Sequence, residues 1–162
     1  MEIVYIRDMN LIDISRVMRI EHASFEFPWT EQEFTKCLKR KTIHRNTFGL
    51  IAEQKEIVVG YLIYQLHRRR AHVLNVAVKP DSRRGGVCRQ LFNTLVLKCG
   101  FTECCKTIFM EVRETNLNAQ LAFRSLGFKA TSVLKDFYND EHEVQEDAYM
   151  MQYKLSHAMV SA

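Results

Sequence analysis

No stretch of about 18 uninterrupted apolar residues occurs in this sequence, so no membrane-spanning helix is expected and no membrane partner. The opening residues, Met1-Glu2-Ile3-Val4-Tyr5-Ile6-Arg7-Asp8, are charged too soon to hold a signal peptide's apolar stretch, which predicts a cytoplasmic protein. The five cysteines, Cys37, Cys88, Cys99, Cys104 and Cys105, contain no Cys-x-x-Cys pair. An odd count with two members adjacent points to a reducing compartment and inert thiols. The six histidines never fall at metal-ligand spacing beside these cysteines, so no metal site is expected. No internal repeat, low-complexity stretch or linker interrupts the 162 residues, a length that suits one domain.

What is present has the proportions of an ordinary globular protein, 47% apolar and 26% charged. The formal net charge of +4 is densest at Arg68-Arg69-Arg70, next to His67 and His72. A nucleic-acid footprint would need a broader basic stripe with interleaved aromatics, so direct nucleic-acid binding is not expected. A solvated hairpin turn is favoured for this run over a phosphate-binding site.

Apolar spacing orders the elements. Ile3 to Ile6 alternates like a short strand. Leu11, Ile14, Val17, Met18 and Ile20 predict a helix from about Leu11 to Phe25. After a break at Phe27-Pro28-Trp29, Thr30 and Glu33 form a capping-box pattern that starts a second helix running to about Lys39. Thr47 to Glu53 and Ile57 to Leu66, split by Gln54-Lys55-Glu56, read as an antiparallel hairpin. A strand from His72 to Val78 ends before Pro80, and Val87, Leu91, Phe92, Leu95, Val96 and Cys99 mark a helix with one buried side. Thr107 to Arg113 alternates, with Phe109, Glu111 and Arg113 on one face. A helix from about Asn116 is stopped by Gly127, and strands near Phe128 to Leu134 and Ala148 to Leu155 close the chain. The order β, α, α, β, β, β, α, β, α, β, β predicts an α+β or mixed α/β domain around one sheet.

The chemistry concentrates at Val76-Ala77-Val78-Lys79-Pro80-Asp81-Ser82-Arg83-Arg84-Gly85-Gly86-Val87-Cys88-Arg89, where a strand passes through a basic, glycine-bearing turn into a helix. The first helical turn has unpaired N–H groups and partial positive charge, and Arg83 and Arg84 bring further donors. Together they make a seat for a pyrophosphate. The turn has neither the Gly-Lys-Ser/Thr ending of a P-loop nor the Gly-x-Gly-x-x-Gly of dinucleotide-binding folds, and suits a cofactor with a 5′-diphosphate such as coenzyme A.

Arg83-x-x-Gly86-x-Cys88 resembles the Arg/Gln-x-x-Gly-x-Gly/Ala signature of the GNAT acetyltransferases. Glu111-Val112-Arg113-x-x-Asn116-x-x-Ala119 with Leu126-Gly127-Phe128 resembles the family's RimI branch, which acetylates protein N-termini. So do Phe25-x-x-Pro28-Trp29-Thr30 and Glu146-Asp147-Ala148, and the matches span nearly the whole chain. The resemblance implies one GNAT domain over residues 1–162, with a twisted, mostly antiparallel sheet, a splayed pair of parallel strands and about four flanking helices. It implies that acetyl-CoA is the cosubstrate, held by the backbone of Val76, Ala77 and Val78 and by the turn Arg83, Arg84, Gly85, Gly86, Val87, Cys88 and Arg89. Asn116 would contact the cofactor, and Phe123 would lie beside it. Glu111 would be the general base; the bland alternative is a surface glutamate on a half-exposed strand. Phe27, Pro28, Trp29 and Tyr138 would flank the acceptor groove, although packing beneath a loop explains Trp29 equally well. The implied reaction is direct transfer in a ternary complex to a protein N-terminus, for which family analogy suggests the N-terminal alanine of a ribosomal protein. The protein would act as a monomer or weak dimer.

Two positions depart from the pattern. Cys88 stands where the signature has glycine or alanine, and Phe123 where RimI-like enzymes carry a tyrosine, the acid for the departing thiolate. A water or Tyr138 would have to serve, or no acid is needed. The acidic residues Asp136, Asp140, Glu141, Glu143, Glu146 and Asp147 either attract a cationic acceptor or simply solvate a hairpin. Lysine side chains and small amines remain alternative acceptors. Coenzyme A binding without catalysis is the reading from a different class.

Overall fold

The computed structural model describes residues 3–39, 46–101, 105–139 and 145–156. Seven strands form one sheet: β1 (Tyr5–Asp8), β2 (Thr47–Gln54), β3 (Ile57–His67), β4 (Arg70–Val78), β5 (Thr107–Arg113), β6 (Lys129–Asn139) and β7 (Gln145–Lys154). Their spatial order is β1-β2-β3-β4-β5-β7-β6, and every neighbouring pair is antiparallel except β4–β5. Among the described residues there are four α-helices, α1 (Ile14–Ser24), α2 (Glu31–Leu38), α3 (Val87–Phe101) and α4 (Leu117–Ser125). The architecture is the mixed α/β fold that the sequence led us to expect.

Alternation along β3 shows how the sheet separates two cores. Leu62 and Tyr64 face α3 with Leu91, Leu95 and Ile108, whereas Tyr61 and Ile63 face α1 and α2 with Val17, Ile20 and Phe34. Covered on both faces, β3 is buried almost throughout, and its sequence therefore reads as a nearly continuous apolar run.

The parallel pair is short. β4 and β5 pair at Arg70↔Thr107, Ala71↔Ile108 and His72↔Phe109, and there the ladder ends although both strands continue. On its other side β4 has a register shift against β3, where Ile63 faces Asn75 and Tyr64 faces Val73, leaving Leu74 as an extra residue. Such a bulge bends a strand, and here it lies where β4 leaves β5. The expected splay is present, and it opens the cleft that holds the site.

Local signals hold in detail. The capping box of α2 is made: the Thr30 N–H donates to Glu33 Oε2 at 2.6 Å and the Glu33 N–H to Thr30 Oγ1 at 3.3 Å. α4 ends at Gly127, whose φ of 99° lets the Phe128 N–H reach the Phe123 carbonyl at 3.0 Å. Several ends differ from expectation. The first helix begins as a 3₁₀ turn, Leu11–Asp13, and β1 lies two residues later than the alternation suggested, pinned to β2 from Tyr5↔Glu53 to Asp8↔Leu50. β6 and β7 are longer than expected, so Phe137 and Tyr138 lie within β6 and not in a loop between the last strands. Arg68 and Arg69 form the β3–β4 turn, while Arg70 opens β4 with its guanidinium 4.1 Å from the Phe109 ring centre.

Candidate active site

The splay between β4 and β5 holds two adjoining cavities. One, about 790 Å³, runs from Val76, Ala77 and Val78 past Arg83, Arg84, Gly86, Val87, Cys88 and Arg89. The chain turns there because Gly86 takes a φ of 79°, and its carbonyl accepts the Gln90 N–H at 3.0 Å as α3 begins. Three of the seven turn residues, Val87 to Arg89, form the first turn of α3, whose N–H groups have no helical acceptor. Gly85 belongs to the turn but does not line the cavity.

The Arg83 side chain is occupied otherwise than the sequence suggested. Its Nε donates to the Val78 carbonyl at 3.0 Å and its Nη2 to Ser24 Oγ at 3.1 Å, so it braces the turn against β4 and the end of α1. Cys88 lines the cavity with a neutral thiol, since burial pushes its pKa up to about 11.

The second cavity, about 980 Å³, is bounded by the Phe27-Pro28-Trp29 segment, the middle of β4, Glu111 and Arg113 on β5, and Tyr138 on β6. Phe25, Val76, Asn116, Ala119 and Phe123 line both cavities and mark where they meet. Asn116 caps α4, accepting the Ala119 N–H on Oδ1 at 3.1 Å. Phe123 packs its ring 5.7 Å from Phe128.

Glu111 lies in the wall of the second cavity with its side chain mostly buried. Its Oε2 is 2.6 Å from His72 Nε2. The two meet because His72 pairs with Phe109, one step before the strands part, and reaches diagonally to Glu111 on the same face. Stacking on the Phe109 ring at 4.4 Å holds the imidazole in place. Tyr138 donates its hydroxyl to the Glu111 carbonyl at 3.3 Å, and its ring lies 4.0 Å from the Arg113 guanidinium, which in turn bonds Glu146 at 3.0 Å.

A family model described as "Acetyltransferase (GNAT) family" matches residues 14–128. The chain belongs to the GNAT acetyltransferase family. Over 154 residues it is 28% identical to a ribosomal protein bS18-alanine N-acetyltransferase of Escherichia coli strain K12, covering 93% of this chain and 97% of that one. To an N-alpha-acetyltransferase of Saccharolobus solfataricus it is 26% identical over 90% of each. The crystal structure of the Escherichia coli ribosomal-protein-S18-alanine N-acetyltransferase superposes with a TM-score of 0.82 at 25% identity, covering 95% of both chains. The protein is thus an acetyl-CoA-dependent N-acetyltransferase.

For this acetyltransferase the first cavity suits the cofactor: an open strand edge leads to a helix start whose N–H groups suit a pyrophosphate. A Cβ at Gly86 would meet nothing within 4 Å, so the need for glycine there comes from backbone conformation alone. Trp29 lines the second cavity while its ring packs 5.2 Å from Phe34. Two carboxylates of the acidic run are engaged within the chain. Glu146 serves Arg113 and Thr115, and Asp147 serves Lys135 at 2.5 Å and the Asp136 N–H at 2.9 Å. Asp140, Glu141 and Glu143 lie outside the described residues.

Sequence reasoning missed three features of this site. His72 reads from the sequence as a neighbour of the basic run and the start of a strand, but its partner depends on the β4–β5 register. Arg113 was read as part of a motif and not as the link between Tyr138 and Glu146. Glu21 was passed over entirely, although it follows Val17 by four residues and so continues the buried stripe of α1.

Proposed function

We propose that this acetyltransferase modifies the N-terminal α-amine of a protein, of the kind represented by the N-terminal alanine of a ribosomal protein, by direct transfer in a ternary complex. The observation that carries the proposal is the meeting of the two cavities at Val76 and Phe123 with Glu111 in the wall of the second. Similarity to the bS18-alanine enzyme of Escherichia coli supports the choice of acceptor. In this reading the whole chain, residues 1–162, is one catalytic domain that acts in the cytoplasm.

The backbone of Val76 to Val78 holds the pantetheine arm, the turn from Arg83 to Arg89 holds the pyrophosphate, and Asn116 lies at the junction. Bound acetyl-CoA supplies the acetyl thioester. An α-amine has an unperturbed pKa of about 8, so it must give up a proton near neutrality before it can attack. Glu111 takes that proton, directly or through a water. An Nε2–H on His72 donates to Oε2 and fixes the carboxylate, leaving Oε1 to accept. Phe123 cannot return a proton to the departing sulfur. Tyr138 is the phenol that lines the acceptor cavity and is assigned that role, eased by a thiol whose ordinary pKa of about 8.5 makes it a tolerable leaving group unprotonated. Phe27, Pro28 and Trp29 on one side and Tyr138 on the other receive the peptide.

The deciding experiment follows coenzyme A thiol release with short peptides bearing different free N-termini, set beside lysine side chains and small amines. Acetylation of an Ala- or Ser-starting peptide, with a loss of about 100-fold or more in Glu111→Gln at retained cofactor binding, is the expected result. Phe123 favours a second reading, a weakly active transferase, which predicts acetyl-CoA binding with slow thiol release for every acceptor.

A further inference from the structure

In the wall of the acceptor cavity lies a buried polar cluster that the transfer chemistry does not use. Glu21, on α1, is 1% exposed, yet its carboxylate has no cationic partner among the described residues. Its donors are all neutral and come from three separate elements. The Trp29 backbone N–H donates to Oε1 at 2.7 Å, Asn75 Nδ2 on β4 to both oxygens at 3.2 Å, and the Tyr61 hydroxyl on β3 to Oε2. Burial pushes the Tyr61 phenol far above its ordinary range, with the Glu21 charge adding to the effect, so it stays a donor.

The same residues close a circuit through their rings. Trp29 lies 5.2 Å from Phe34, and Phe34 meets Tyr61 edge-on at 5.6 Å. The segment bounding the acceptor cavity is therefore gripped twice, by its backbone at Glu21 and by its indole through Phe34, and both grips end on Tyr61. Asn75 extends the cluster to the residue directly before Val76, where the two cavities meet. A buried carboxylate is costly unless fully hydrogen-bonded, and a hydrophobic residue would fill the volume more simply. What an apolar side chain cannot supply is an acceptor for the Trp29 N–H.

We infer that Glu21 is a positioning residue for acceptor binding, its carboxylate holding the Phe27-Pro28-Trp29 segment against β3 and β4 before the acceptor arrives. This rests on the reading of the second cavity as the acceptor site. Without the carboxylate the segment must be ordered by the acceptor itself, and that cost appears in acceptor affinity. Cofactor affinity and the transfer step, which depend on the backbone of Val76 to Val78, on α3 and on Glu111, are left alone, because the bonds of Glu21 go to Trp29, Tyr61 and Asn75.

Trp29 is the chain's single tryptophan, so its fluorescence reports on this segment whether or not an acceptor is known. In Glu21→Ala, acrylamide quenching rises about twofold or more and the acceptor KM about tenfold, with kcat and the acetyl-CoA KM within about twofold of wild type. Glu21→Gln keeps an oxygen for Trp29 and offers its amide to Tyr61 or Asn75, so it restores both readouts. If Glu21→Ala does not fold, Tyr61→Phe removes one donor while keeping the ring contacts, and moves both readouts in the same direction by about threefold. Wild-type quenching in a folded Glu21→Ala or Tyr61→Phe variant overturns the inference, as does a rise in acetyl-CoA KM equal to that for the acceptor. If wild type acetylates no peptide, the reading of the cavity fails separately, and the quenching still decides whether Glu21 holds the segment.

Discussion

His72 Nε2 lies 2.6 Å from Glu111 Oε2, two residues 39 positions apart that meet at the last paired step between β4 and β5. If His72 acts by donating an N–H, Gln, whose amide nitrogen has the same reach, serves nearly as well. We expect His72→Gln to keep kcat within about threefold of wild type and His72→Leu to lower it about tenfold or more, with little change in either KM. Steady-state kinetics against one peptide checks this. Equal losses in both variants would show that the imidazole moves a proton itself.

Phe123 stands at the junction of the cavities, where its replacement by tyrosine adds a single hydroxyl. Phe123→Tyr is expected to leave acetyl-CoA binding unchanged and to raise turnover modestly. Calorimetric titration with coenzyme A and a thiol-release assay separate the two effects. A large loss of turnover with intact binding would defeat this expectation.

Gly86 takes a left-handed backbone with open space around its Cβ position. Gly86→Ala therefore meets no clash but strains the turn by about 1 kcal/mol. Acetyl-CoA affinity should fall while the fold persists. A lowered melting temperature with unchanged affinity would make the turn structural and remove it from the cofactor seat.

Arg7 grips Asp13 through two nitrogens, at 2.7 and 2.9 Å, and also bonds Glu53 at 2.7 Å. Burial alone would raise the Asp13 carboxyl, but the bonds from Arg7 and from the Asn10 N–H outweigh it and leave the pKa below its ordinary value. A carboxyl depressed on folding contributes stability that is complete above its unfolded pKa of about 3.9 and drains away as pH falls through the folded value. Asp13→Asn should cost about 2 kcal/mol at pH 7, less than a fully buried pair because Arg7 is a quarter exposed, and should lose less further stability between pH 5 and pH 3 than wild type. Urea unfolding at the two pH values tests this, and parallel losses would place the acid sensitivity elsewhere.

Much of the fold was legible because its signals are local. The apolar spacing of α3, the Thr30 and Glu33 cap and the Gly127 stop each depend on residues within a few positions of one another. The signature turn was legible for the same reason: strand end, glycine and helix start follow directly along the chain. Element ends were harder where pairing extends a strand beyond its apolar pattern, as at Tyr138 in β6.

By itself, then, the sequence determined the order of elements, the family and the glycine turn that suits a pyrophosphate. Tertiary structure alone decided that β4 and β5 pair for three residues and then part, that His72 reaches Glu111, and that Glu21 gathers donors from Trp29, Tyr61 and Asn75. Periodicity states which face of an element a residue occupies. Which residue it meets across that face depends on register and bulges, and these are set by helices packing on both sides of the sheet.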